Sequence, residues 1–138
     1  MRHLARLAAC ALAAAAAGCS RSSDVADERR DLVSWAGTLS LAARQWGHGL
    51  DPTPYTRTVS RAAREALDET SRSLARASSE GSAAAAALRG AAGRIESARQ
   101  ALDAAIARRD GPSAAALAER LDALQRDLRL EPEHEPAP

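Results

Sequence analysis

Phenylalanine and lysine are both missing from this 138-residue chain, and methionine and tyrosine occur once each. Aromatic residues make up only 2% of the composition, and much of the 46% hydrophobic fraction is alanine. Alanine adds little buried area, whereas a fully buried Leu or Ile contributes about 1.5–3 kcal/mol. The expected core is therefore thin. An exclusively arginine basic complement reads as a GC-rich coding bias rather than as chemistry. Excess charge is also lacking: the net charge is +1, and without Arg2 and Arg6 the rest of the chain has 17 arginines against 18 acids. A nucleic-acid partner would require a net basic face, so that class is excluded. Period-two alternation is absent and β-branched residues are few, which argues against strands. At this length one domain is expected.

No apolar run is long enough to cross a bilayer as a helix, which takes roughly 20 residues. What the N-terminus has instead is a basic start, MRHLAR, followed by an uncharged stretch over residues 7–17. That pattern fits an export signal. The stretch ends in Ala16-Ala17-Gly18-Cys19. Those residues resemble the lipobox of bacterial lipoproteins, with Ala16 standing where the family most often has Leu. The resemblance implies a signal peptide over residues 1–18, cleavage by signal peptidase II before Cys19, and acylation of Cys19 with diacylglycerol and palmitate-like chains. It also implies attachment to the lipid bilayer. Ser20 is not the Asp that favours inner-membrane retention in Gram-negative lipoproteins, which implies the outer membrane, facing the periplasm. From the residues alone, two alternatives stand: a soluble exported protein cut after Ala15-Ala16-Ala17, or an uncleaved anchor. The first would leave Cys19 as a lone thiol in an oxidising compartment, because Cys10 leaves with the leader. Residues 19–23 form a short tether, at most ~14 Å over residues 20–23, so the body sits close to the lipid.

The body over residues 24–130 reads as helical. Asp24 is a candidate N-cap, and Leu32, Trp35, Leu39, Ala42 and Trp46 fall at 3-4 spacing before Gly47 and Gly49 end the helix. "GLDPTPYT" breaks the chain, with Thr53 and Pro54 as an N-cap and first helical residue. A second helix runs to about residue 79 with Val59, Ala63, Ala66, Thr70, Leu74 and Ala77 on one side, and Gly81 suits a left-handed turn. A third, about 83–109, carries Leu88, Ala91, Ile95, Ala98, Leu102 and Ala105. Gly90 and Gly93 inside it allow a close approach or mark a bend. Asp110-Gly111-Pro112 starts the last helix, with Leu117, Leu121, Leu124 and Leu128. Residues 131–138, EPEHEPAP, read as a disordered tail. The expected fold is all-α, an up-down antiparallel bundle of about four helices. The alternative is a long helical hairpin that completes its core by dimerising, a homodimer.

Chemistry-bearing constellations are scarce. His48 lies in a Gly-flanked turn and His134 in the tail, neither at ligand spacing with Cys, Asp or Glu, so no metal site and no cofactor are expected. G-x-S-x-G, Gly-rich phosphate loops and C-x-x-C-H are absent. Asp68 and Glu69 sit among Arg64, Arg72 and Arg76, a pattern of surface i,i+3 and i,i+4 pairing. An enzyme is not expected. Trp35, Trp46 and Tyr55 are the aromatics, read either as core filling or as a partner or ligand cleft near the Gly-His-Gly-Leu-Asp-Pro turn. The leading expectation is a helical lipoprotein with a protein-interaction or structural role. The alternative is a periplasmic sensor or a module binding a small ligand or metal between its helices. In composition the whole resembles the small helical lipoproteins of GC-rich proteobacteria, a likeness that transfers no site.

Overall fold

The computed structural model describes the backbone of residues 2–130 and the side chains of residues 24–130; the expected tail over residues 131–138 lies outside them. Four helices make up the described chain: α1 (Arg2–Gly47), α2 (Thr53–Ser79), α3 (Ala83–Arg108) and α4 (Gly111–Leu130). Each packs against its sequence neighbour, and α1 closes the ring most extensively against α4. The diagonal contact runs between α1 and α3. Short connections force antiparallel neighbours, giving an up-down four-helix bundle. α1 and α4 show the opposed directions directly. Gly47 meets Gly111, Ser40 meets Asp122, and Val33 meets Gln125. Four helices close the core, so the hairpin alternative does not apply.

The core is built from Leu32, Leu39, Leu67, Leu74, Leu88, Ile95, Leu102 and Leu121, each 2% exposed or less, with alanines between them. On α3 every residue of the expected stripe is buried. On α2 the buried line is Thr56, Ser60, Ala63, Leu67, Thr70 and Leu74. It shares three residues with the expected stripe and turns the helix so that Val59, Ala66 and Ala77 are only half-buried. Three of the buried residues carry hydroxyls; Thr70 lies on the expected stripe, whereas an apolar periodicity does not pick out Thr56 and Ser60.

Three helix ends close the same way. After α1, Gly49 (φ 71°) donates to the Trp46 carbonyl and Leu50 to the Gln45 carbonyl. After α2, Gly81 (φ 96°) donates to Ser78 and Ser82 to Ala77. After α3, Arg109 (φ 57°) donates to Ile106 and Asp110 to Ala105. All three are Schellman closures, whose left-handed position normally falls to glycine. The third places an arginine there.

Two expected helix starts shift. Asp24 is not an N-cap, because α1 runs on from Arg2 through it; the alanine-rich leader has the highest helix propensity and residues 18–24 contain no proline to stop it. Thr53 is not the N-cap of α2 either. Pro52 holds that position at φ −65° and ψ 138°, which leaves the Thr53 hydroxyl to accept the Trp46 indole N–H at 3.0 Å. Ser82 caps α3 through its Oγ, which accepts from the Ala85 N–H at 3.1 Å. Asp110 caps α4, accepting from the Ser113 N–H at 3.0 Å and from its hydroxyl at 2.6 Å.

Candidate functional site

The bundle has two ends. One holds the start of the α1 body, the α2–α3 turn and the end of α4. The far end holds the α1–α2 turn, residues 48–52, and the α3–α4 turn, residues 109–110. At the far end the two turns touch. A Cβ built on Gly47 would lie 2.9 Å from the Gly111 carbonyl oxygen, and one on Gly111 would lie 2.8 Å from that of Gly47. Backbone against backbone at that range admits no side chain. Gly90 and Gly93, by contrast, are exposed, with no atom nearer than 3.9 Å to an added Cβ. The close approach occurs at Gly47 and Gly111, and neither helix-interior glycine of α3 makes one.

The expected aromatic trio divides. Trp46 and Tyr55 belong to the far end. Trp46 is half-buried against the core and tied to Thr53, while Tyr55 in the first turn of α2 is 55% exposed. Trp35 packs against the same core, but eleven residues at 1.5 Å per residue put it about 16 Å down α1. The three do not frame a single cleft. Cys19 falls within the span of α1, with its side chain outside the described residues. Beside Trp46, Leu50 is 73% exposed, and Asp51 has one carboxylate oxygen enclosed and without a hydrogen-bond partner among the described residues. His48 is exposed.

Two polar clusters lie inside helix interfaces, and periodicity of apolar residues gave no sign of either. Between α1 and α4, the buried Ser40 hydroxyl donates to the Asp122 carboxylate, with the Ala118 carbonyl oxygen 3.0 Å away as a second acceptor. Arg44 pairs with the other Asp122 oxygen. These contacts hold the Asp122 carboxyl below its usual range, the Ser40 hydrogen bond contributing most and Arg44 adding to it. Between α2 and α3, Arg99 is 7% exposed and fully engaged. It donates to Glu96 through two nitrogens at 2.7 and 2.8 Å, to Asp103 at 2.6 Å and to the Ser60 hydroxyl oxygen at 3.1 Å. Ser60 in turn donates to Asp103 at 2.7 Å. The Arg99 hydrogen bond draws the Glu96 carboxyl below its usual range, and Glu96 raises the Arg99 guanidinium above its own.

Chemically, these clusters are clamps. Each carboxylate that touches a serine is neutralised by an arginine and engaged by the hydroxyl, and Asp122 is held ionised below the carboxylate range. A carboxylate so stabilised is a poor proton acceptor, the opposite of what a general base needs. Among the described residues no group of three or more His, Cys, Asp or Glu side chains comes together as metal ligands. The Asp68/Glu69 surface is exposed throughout, and Arg72 Nε donates there to the Asp68 backbone carbonyl at 3.1 Å. Compared with family models, curated proteins and solved structures, the chain matches none.

Proposed function

We propose that this chain is a lipid-anchored envelope protein. Acyl chains on Cys19 hold a four-helix bundle against a membrane, the outer membrane on its periplasmic face, and the bundle serves as a non-enzymatic binding body for another protein. The observation that carries the reading is the leader: a basic start, a short uncharged stretch and small residues ending at Gly18-Cys19. No helix among the described residues is long and apolar enough to cross a membrane, so on this reading attachment falls to the cysteine. One acyl chain binds a bilayer only marginally, at ~0.8 kcal/mol per buried CH₂, whereas two or more hold firmly.

The helical run of α1 through residues 19–24 shortens the tether. At about 1.5 Å per helical residue, the body begins within roughly 10 Å of the acylated sulfur. The far end, with Leu50 and Tyr55, then points away from the lipid.

The test is a Cys19→Ser variant followed by envelope fractionation, palmitate labelling and mass spectrometry of the mature N-terminus. The wild-type chain is expected in the membrane fraction, beginning at an acylated Cys19. The variant is expected to lose the label and to keep its leader. A variant that is processed as before and stays in the envelope pellet refutes the anchor.

A further inference from the structure

An up-down four-helix bundle can part into helix pairs in two ways, and the polar contacts decide between them. The hydrogen bonds across helix interfaces fall into two sets. Ser40, Arg44 and Asp122, with Gln125 donating to the Val33 carbonyl at 3.0 Å, join α1 to α4. Ser60, Arg99 and Asp103 join α2 to α3. Among the described residues, every buried side chain that hydrogen-bonds across an interface lies within one of these pairs: Ser40, Ser60 and Arg99. The Trp46–Thr53 bond does cross from one pair to the other, and it sits at the far end beside the α1–α2 turn. Packing divides the same way. α1 meets α4, and α2 meets α3, more extensively than α1 meets α2 or α3 meets α4.

Helical spacing gives what fills the two seams between the pairs. On α3 the Arg99 edge meets α2, and Ala92 lies seven residues before Arg99 on that edge. Leu88, Ile95 and Leu102 follow around the buried arc, and Ala91, Ala98 and Ala105 close it on the side left for α4. On α1, Trp35, Ala42 and Trp46 occupy the edge away from Ser40. Both seams are therefore apolar. Trp35, Trp46, Val59, Ala77, Ala101 and Leu124 border them and are only half-buried. The short connections between the pairs, residues 48–52 and 109–110, both lie at the far end. At the other end the α2–α3 turn joins two members of the same pair.

We propose that the bundle opens as a jaw. The α2–α3 pair swings as a unit away from the α1–α4 pair, hinged on the two far-end turns. The mouth forms at the end that holds the start of the α1 body and the α2–α3 turn. Each clamp moves with its own pair, so no buried polar group loses its partner. What parts is contact between apolar side chains, which is non-directional and re-forms on closing. A hinge of this kind needs only a few turn residues to change conformation. Opening then takes less free energy than global unfolding, because the helices and the clamps stay intact. The mouth is on the Cys19 side of the bundle, so on the reading above the jaw opens toward the lipid. The motion itself does not depend on acylation.

The test places one thiol at a time in the full chain, in a Cys10→Ser/Cys19→Ser background purified in mild detergent. Labelling by a maleimide is timed in low urea. Each rate is compared with the variant's own global-unfolding limit, taken from its urea denaturation curve. Ala91 and Ala92 are adjacent and both 2% exposed, yet they face different neighbours. Ala91→Cys is expected to react at least tenfold faster than the limit, with a shallower urea dependence than global unfolding. Ala92→Cys, inside the α2–α3 pair, and Ala105→Cys, beside the hinge, should stay within about twofold of it. Ala98→Cys, midway along the seam edge, should fall between the Ala91 and Ala105 variants, and it carries the comparison if Ala91→Cys does not fold. Equal rates for the Ala91 and Ala92 variants overturn the proposal, because they report no opening or local unfolding of α3. Fast labelling of Ala92→Cys with slow labelling of Ala91→Cys assigns the opening to the α2–α3 interface and also overturns it. Equally fast labelling of the Ala91 and Ala105 variants means separation without a hinge, which overturns it too. Every variant lacks the acylation site, so the anchor is read separately by fractionation of Cys19→Ser.

Discussion

Glycine shows how differently one residue type behaves at four positions of this chain. Gly90 and Gly93 cost α3 helix stability and support no contact; an added methyl meets nothing closer than 3.9 Å. Gly90→Ala and Gly93→Ala are each expected to raise stability by about 0.5–1 kcal/mol, measured by urea denaturation. Gly47→Ala and Gly111→Ala should do the opposite, because each new Cβ meets a backbone oxygen under 3 Å away that no rotamer change can move. The loss should appear as a lowered denaturation midpoint at an unchanged slope. Arg109→Gly belongs with the gains. Relief of the left-handed strain at φ 57° should stabilise the bundle by roughly 0.5–1 kcal/mol. In the sequence Gly47 reads as a helix stop and Gly90 as the candidate for a close approach. The neighbour across the helix interface reverses the two.

Between helices, the polar clamps set register. Ser40–Asp122 links α1 to α4, and Ser60–Arg99–Asp103 links α2 to α3. A one-residue slip in either pair would leave buried polar groups without partners, each costing about 1–3 kcal/mol. Acid should release them. Asp122 and Glu96 titrate lower in the folded chain than in an unfolded one. Their contribution is therefore complete above the ordinary carboxylate range. It is lost as pH falls below roughly 4.5 and through their depressed folded values. Melting temperature should fall over that interval, and the drop should be shallower in Asp122→Asn and Glu96→Gln than in the parent. An equally steep fall in both variants would assign the acid sensitivity to other carboxylates.

For the whole molecule, eleven buried large aliphatic side chains, the eight named above with Ile106, Leu117 and Leu128, and a filling of alanine hold four helices together. Each therefore carries a large share of the total. Leu39→Ala and Leu102→Ala, both at fully buried positions, should cost about 2–5 kcal/mol and lower the melting temperature on the order of 10 °C by calorimetry. The bundle also fixes which features face one another. It separates Trp35 from Trp46 and Tyr55, and it joins the α1–α2 turn to the α3–α4 turn, so that Leu50 and Arg109 share one end.

Helix count, class and most boundaries follow from local rules that act within a few residues: apolar spacing at 3.6, proline and glycine as stops, serine and aspartate as caps. Those rules read α3 and α4 almost to the residue. They missed the start of α1, where the leader carries no stop, and the face of α2, where Thr56 and Ser60 are buried. They also gave no sign of the Asp122 clamp, of the Ser60 link to Arg99 or of the Gly47–Gly111 contact. Each of those depends on a partner about 40 or more residues away in sequence, beyond the reach of any rule that looks along one helix. The Arg99 pairs with Glu96 and Asp103, by contrast, lie at i,i+3 and i,i+4 on α3 itself. Packing decided which of the polar residues face inward, which glycines are indispensable, and which exposed side chains meet at the far end.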